Sequence, residues 1–416
     1  MVNSLDKILN KNSTVLIATF SLWSDGNRLP TNGSVEPLID FFTPRVKKMV
    51  LIDQPIPGSD KVMHKIKKYE NGKDKKLFSS IWMYFFYPFL KLTNESGTRI
   101  FFKLRDFFSV VDQCMKEKGR FNYFIGLESL NALAGILMRK FNFIDKVVYY
   151  VSDYSPRRYP QKWFNWLYLL LDRYCAMHAD FIWDVSTAMQ PARIKAGLNP
   201  SKSAPVIHVP NALKPKQIKF NSYNNIKPFS LVYMGTLGKD NGSDVAIKAM
   251  PQILKNYPKT VLHIIGGGEK DMPRLQKLVL SLRLEKKVKL YGYILEGNKM
   301  SEIIRSCYIA LAPYRAYAGS PRYYGDAGKI RAYAAAGVPI ITTNVPPLGK
   351  EVKEKGAALI VKDNPSDFAK AIIRVFSDRD LYLKLRNGTI FFARNNTWEN
   401  TFIQAFRQMR NYYKYE

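Results

Sequence analysis

A chain of 416 residues with 46% hydrophobic content holds more than one core, since a single core seldom grows beyond about 250–300 residues. Its 64 Lys and Arg against 34 Asp and Glu leave a formal net charge of +30, so partners are expected among polyanions: nucleic acid, anionic lipid or phosphorylated substrates. The three cysteines are odd in number and far apart, which argues against a disulfide framework and for a reducing compartment. The four histidines show no ligand spacing, so no catalytic metal and no cofactor is expected.

The first twenty residues mix charges of both signs with a strand-length apolar run, and so read as no secretory signal. VLIATF (15–20) is a strand that feeds the loop SLWSDGNRLPTNGS and an apolar helix from Val35. Lysines then crowd residues 61–76, ahead of LFSSIWMYFFYPFLKL (77–92), which is too short to span a bilayer as a helix. It could lie in the interface with Trp82, Tyr84 and Tyr87 at headgroup level, or be an ordinary buried helix beside a solvated lysine face. RIFFKLRDFF (99–108) repeats the basic and aromatic mix. RFNYFIGLES, VVYYVSDYSP and ADFIWDVSTAM read as further strands, and KPKQIKFNSYNNIKP (214–228) as a polar, proline-bounded linker.

After the linker, FSLVYMGTLGKDNGSDVAIKAM (229–250) is a strand, glycine turn and amphipathic helix. VLHIIGGGE (261–269), VKLYGYI (288–294) and YIALAPY (308–314) follow as strands. AGSPRYYGDAG (318–328) leads into KIRAYAAAGVP, an Ala-rich helix that ends at Gly337 before the strand Ile340 to Thr343. Strand, glycine loop and helix N-terminus together suit an anion, usually a phosphate. Strands alternate with helices in both halves, which predicts an α/β chain of parallel sheets covered on both faces.

In this order the motifs resemble the donor-binding half of retaining glycosyltransferases of the GT-B fold, most of all family 4. HVPNAL (208–213) is similar to that family's linker and NNTWENTFIQAF (395–406) to its final crossing helix. The resemblance implies two Rossmann-like domains facing across a cleft. It places an acceptor-side domain at 1–212, a linker at 213–228, a nucleotide-sugar domain at 229–396 and a helix at 397–416 that returns to the first domain. The implied activity is metal-independent transfer of a sugar from a nucleotide sugar to a lipid-linked or surface-glycan acceptor, on the inner face of the cell membrane, with residues 61–108 as the membrane surface. A non-catalytic glycan- or nucleotide-binding protein is the alternative. Nucleic-acid binding is the remaining reading and is not expected, because the basic residues are spread over both halves without a nucleic-acid motif.

The resemblance also implies site residues. Gly235, Thr236, Lys239, Asn241, Gly266, Tyr293, Arg315, Arg322 and Lys329 are the donor-binding candidates. Thr236 and Asn241 stand where the family carries Arg and Lys, and Tyr324 and Ala332 where it carries two Glu, leaving Asp326 as the nearby carboxylate. Open α/β sheets bind ligands at the carboxyl ends of their strands, so Glu128 and Asp153 are the acceptor-side carboxylates, with Gly26 and Gly33 in the acceptor-side loop. A cap is the other role open to Asp153, and a solvated surface charge the other role open to each of Lys239, Arg315, Arg322 and Lys329.

Overall fold

The computed structural model describes residues 9–29, 33–60, 63–76, 81–91, 99–268, 271–294, 296–317 and 320–413. Lys61, residues 77–80 and 92 of the aromatic stretch, residues 30–32 of the acceptor-side loop, Glu269, Ala318 and Gly319 lie outside them. The chain divides into two compact units, Met1–Asn211 with Thr401–Glu416, and Ala212–Asn400.

The first unit opens with β1 (Thr14–Ser21), the short hairpin β2 (Trp23–Ser24) and β3 (Asn27–Arg28), α1 (Val35–Phe42) and β4 (Lys48–Pro55). It continues with β5 (Lys65–Glu70), β6 (Lys73–Lys76), α2 (Ile81–Lys91), α3 (Arg99–Lys116), β7 (Phe121–Leu127) and α4 (Glu128–Lys140). It then runs through β8 (Ile144–Val151), α5 (Lys162–His178), β9 (Phe181–Asp184), α6 (Met189–Lys195) and β10 (Val206–His208). The strands form one sheet in the order β10-β9-β8-β7-β1-β4-β5-β6, parallel except for β5 and β6. β1, β4 and β7 are buried nearly end to end, as a sheet covered on both faces requires.

The lysine cluster is thus the antiparallel hairpin β5-β6, and charge on an edge strand keeps that edge from pairing with another chain. Much of this charge is neutralised locally: Lys68 pairs with Glu70 at 2.9 Å and with Glu117 at 3.0 Å, and Lys75 with Glu70 at 2.7 Å. β7-α4-β8 and β8-α5-β9 step across the sheet in the same direction. Right-handed crossovers put both helices on one face, where α2 packs on α3, α3 on α4 and α4 on α5.

The second unit contains β11 (Ser230–Met234), α7 (Ser243–Asn256), β12 (Val261–Ile265), α8 (Asp271–Ser281), β13 (Val288–Leu290), α9 (Gly297–Ser306), β14 (Ile309–Ala312) and α10 (Gly328–Ala335). β15 (Ile340–Thr342), α11 (Leu348–Glu354), β16 (Ala358–Ile360), α12 (Pro365–Ser377) and α13 (Arg379–Asn395) complete it. Its parallel sheet runs β13-β12-β11-β14-β15-β16. Gly337 ends the Ala-rich helix with φ +68°, and a Cβ there would stand 2.7 Å from the Phe220 ring, so glycine serves both the cap and the packing. The last helix, α14 (Trp398–Tyr413), packs Phe402 and Phe406 against Phe41 and Trp183 of the first unit's core, with Phe406 stacked on Phe41 and Phe402 on Trp183.

Candidate functional site

In the second unit the strand order reverses at β11, which has β12 on one side and β14 on the other. Ligands of open α/β sheets bind at such a switch point, outside the carboxyl ends of the strands. Three loops meet there so closely that only glycine fits. A Cβ on Gly266 would come within 1.9 Å of the Gly235 carbonyl oxygen, and one on Gly242 within 1.7 Å of the Pro313 carbonyl oxygen. Gly242, at φ +68°, also turns the chain from Lys239–Asn241 into α7.

Lys329, in the first turn of α10, reaches into this corner. Its Cε lies 3.3 Å from where a Gly235 Cβ would be, its Nζ donates to the Tyr233 hydroxyl at 3.0 Å, and it sits over the Tyr233 and Tyr314 rings at 4.1 and 4.6 Å. The residue is 7% exposed. Burial, and after it the like charge of Arg322, hold its ammonium well below the ordinary lysine range. No carboxylate pairs with it among the described residues, so this is a buried lysine and not a solvated surface charge. The Arg322 Nε is also buried and has no hydrogen-bond partner among the described residues. A buried lysine amine and a buried guanidinium nitrogen, neither with an anionic partner among the described residues, are what a phosphate group would satisfy.

The other donor-side candidates divide. The Asn241 side-chain amide donates to the Thr236 hydroxyl at 2.7 Å, and the Tyr233 hydroxyl donates to the Thr236 carbonyl at 2.7 Å, so these positions stiffen the glycine loop. Lys239 is exposed at the tip of that loop, and Tyr293, 73% exposed, stands beside the Gly266 turn. Arg315 is drawn elsewhere, to Asp244 at 2.7 Å and the Asp363 carbonyl at 3.2 Å. Asp326 is buried in a two-pronged pair with Arg331, 3.0 Å for each bond, and its Oδ1 accepts the Ala327 amide at 2.9 Å. Tyr324 and Ala332 are half-buried.

In the first unit the order reverses at β1, so the loops after β1 and β7 border the equivalent corner. Glu128, directly after β7, has φ +67°, a conformation that costs a non-glycine residue about 1–2 kcal/mol. Its carboxylate accepts the Ser152 amide at 3.1 Å and the Ser152 hydroxyl at 2.7 Å. Burial raises its pKa, against the opposing pull of Arg158. Arg158 stands 3.4 Å from Glu128 and 3.5 Å from Asp153, whose own side chain is 68% exposed. Asp153 therefore caps no helix: α5 begins nine residues later, at Lys162. Sequence reasoning missed Arg158; its one signal was a cation five residues after a strand-end Asp.

The acceptor-side glycines behave differently from each other. Asp25 and Gly26, at φ +50° and +75°, make the turn between β2 and β3, and the Gly26 amide donates to Asp60 at 3.0 Å. A Cβ on Gly33 would meet nothing within 4 Å. No group of His, Cys, Asp and Glu among the described residues could hold a metal ion.

Residues 228–378 match the family model of glycosyl transferases group 1. The chain is 26% identical over 178 residues to an uncharacterized glycosyltransferase of Haemophilus influenzae, a match covering 42% of this chain and 46% of that protein. It spans less than half the length of the curated relatives it matches. Sucrose-phosphate synthase from Thermosynechococcus elongatus superposes with a TM-score of 0.68 over 98% of this chain and 100% of its own, at 12% identity. HepE of Anabaena, solved in complex with UDP, gives 0.66 over 96% and 100%, at 14% identity. The second unit thus matches the glycosyl transferases group 1 family, and the fold of the chain is GT-B.

Proposed function

We propose that the protein is a glycosyltransferase that moves a sugar from a nucleotide sugar to a lipid-linked or surface-glycan acceptor, with retention and without a metal. The observation that carries this reading is the buried Lys329 beside Arg322 at the switch point of the second unit, with no carboxylate partner among the described residues. When the bond between the anomeric carbon and the diphosphate oxygen breaks, negative charge develops on the leaving phosphate. Arg322, together with Lys329 once it has taken up a proton on donor binding, stabilises that charge from positions the fold has already fixed.

Gly235 and Gly266 let backbone approach the diphosphate, while Tyr293 offers an exposed ring to the base and Lys239 a mobile cation to the phosphates. On the acceptor side Arg158 orients Asp153 toward solvent, where it can accept a hydrogen bond from an incoming hydroxyl, and Glu128 anchors Arg158. Retention follows from the resemblance to family 4.

Location at the inner face of the membrane is part of the proposal. α2 leaves Tyr84, Phe85 and Phe89 exposed, whereas Phe86 and Leu90 pack on Phe102 and Trp82 stacks on Phe108 at 4.7 Å. No helix among the described residues is long and apolar enough to cross a membrane.

One feature favours a binding protein without transfer activity: Asp326, the carboxylate nearest the expected sugar site, is occupied by Arg331. The two readings separate in one assay. A thermal-shift screen against UDP-, GDP-, ADP- and dTDP-sugars, followed by transfer and donor-hydrolysis measurements, gives turnover for the enzyme and binding alone for the second reading. A screen in which no nucleotide sugar raises the melting temperature would overturn the transferase and leave the glycan-binding reading.

A further inference from the structure

α5 leaves Trp163, Trp166, Leu167 and Leu170 exposed by 70, 60, 45 and 42%. Their spacing of 0, 3, 4 and 7 residues places them in one stripe of the helix. The opposite side is firmly anchored. Asp172, Cys175 and Ala176 are buried, and the Asp172 carboxylate accepts from Arg193 Nε at 3.1 Å and from the Tyr149 hydroxyl at 2.7 Å. The stripe is therefore the outer face of a well-packed helix, and a contiguous apolar patch of this kind marks an interaction site.

Charge identifies the occupant. Asp172 is the only carboxylate in α5, and it is buried in its ion pair. Lys162 at the start of the helix is exposed, as is Arg157 five residues ahead of it, and Arg173 lies half-buried one turn past Leu170. Two copies meeting through this stripe would set cation against cation, whereas an anionic bilayer complements it: tryptophans at headgroup level, leucines below and long cationic stems reaching back to the phosphates.

The helix also has a fixed relation to the acceptor-side carboxylates. Arg158, which holds Glu128 and Asp153, lies four residues before α5, and neighbouring Tyr159 packs on Phe164 at 4.5 Å and on Tyr168 at 5.6 Å. We infer that the Trp163–Leu170 stripe is a membrane-docking face that seats in anionic phospholipid and holds the Asp153 corner at headgroup depth. This rests on the reading of a lipid-linked acceptor and assigns it a surface separate from residues 61–108.

The test uses the full chain with phosphatidylcholine vesicles, with and without phosphatidylglycerol. The wild type should float with the anionic vesicles alone, and brominated lipid should quench its tryptophan emission. Trp166→Glu/Leu167→Glu should lower partitioning by about tenfold or more, because each residue forfeits the burial of a large apolar side chain. Both positions are exposed, so the fold should survive, as an unchanged melting temperature would verify. Trp163→Phe/Trp166→Phe should keep binding and lose most of the quenching.

If Trp166→Glu/Leu167→Glu binds like the wild type while Phe85→Glu/Phe89→Glu does not, the α5 assignment falls and membrane docking through residues 61–108 stands. If the wild type ignores anionic vesicles at low salt yet binds and transfers a nucleotide sugar, the membrane assignments fall and the transferase reading survives. A wild-type dimer in sedimentation that the α5 variant dissociates would make the stripe a self-interface and overturn the proposal.

Discussion

The Lys329 ammonium and the Tyr233 hydroxyl stand 3.0 Å apart, on different elements separated by nearly a hundred residues, in a corner closed by three glycines. Burial and Arg322 disfavour the lysine's charge in the folded chain, while the unfolded chain carries it up to the ordinary lysine value. Between the depressed pKa and that ordinary value the unfolded state binds the extra proton, so Lys329 lowers stability there and the penalty fades as pH rises toward 10.5. Lys329→Met is therefore expected to melt at or above the wild-type temperature at neutral pH and to lose the advantage in alkali. A variant that melts well below the wild type at neutral pH would contradict this account of the lysine.

A ligand phosphate reverses that balance by favouring the ammonium, so nucleotide-sugar binding should draw a proton from solution. Calorimetry in two buffers of different ionisation enthalpy measures this directly. Uptake is expected in the wild type and absent in Lys329→Met; equal apparent enthalpies for the wild type in both buffers would count against an ion pair with Lys329.

The two kinds of glycine separate cleanly. Gly242→Ala should cost more than about 3 kcal/mol, since its Cβ would drive into the Pro313 carbonyl at a positive φ, while Gly33→Ala should stay within about 0.5 kcal/mol. Urea denaturation of both variants decides, and similar losses would show that the loop tolerates the extra carbon.

The glycine framework was legible because strand, turn and helix patterns are local and a left-handed or crowded backbone demands glycine itself. The partners of the charged residues were not. Arg315 and Lys329 look equivalent in the sequence, yet the fold gives Arg315 a carboxylate in Asp244 and leaves Lys329 with tyrosines. Asp326 was likewise indistinguishable from a solvent-facing acid until its spacing to Arg331, across the first turn of α10, became an ion pair. The α5 stripe was hidden for another reason: Trp and Leu at helical spacing read as a buried face, and exposure is a tertiary property.

Arg158→Ala should remove both charge contacts at once, leaving Glu128 buried at a strained backbone and Asp153 without its anchor. The expected loss is about 2 kcal/mol of stability, with transfer activity falling further than nucleotide-sugar affinity. Steady-state kinetics beside donor titration tests this. If kcat is unchanged, Arg158 has no part in the acceptor side.

His64 supplies a pH signature in the first unit. Buried beside Arg105, with Nε2 3.0 Å from Asp106 Oδ1, its pKa is lowered to about 4 from 6.5. The unfolded chain takes up this proton first as pH falls, so stability declines between about pH 6.5 and 4. The loss is about 3 kcal/mol, at about 1.4 kcal/mol per unit. His64→Gln should flatten that part of the profile in denaturation experiments, and an unaltered slope would show that other groups set it.

The most direct test of the donor assignment is calorimetric titration of UDP-, GDP-, ADP- and dTDP-sugars into the wild type and Lys329→Ala. The account predicts saturable binding of at least one donor by the wild type, weakened in the variant by about 1.5–3 kcal/mol, or roughly ten- to a hundredfold. Equal affinity in the two proteins, or no binding of any nucleotide sugar to the wild type, would contradict it.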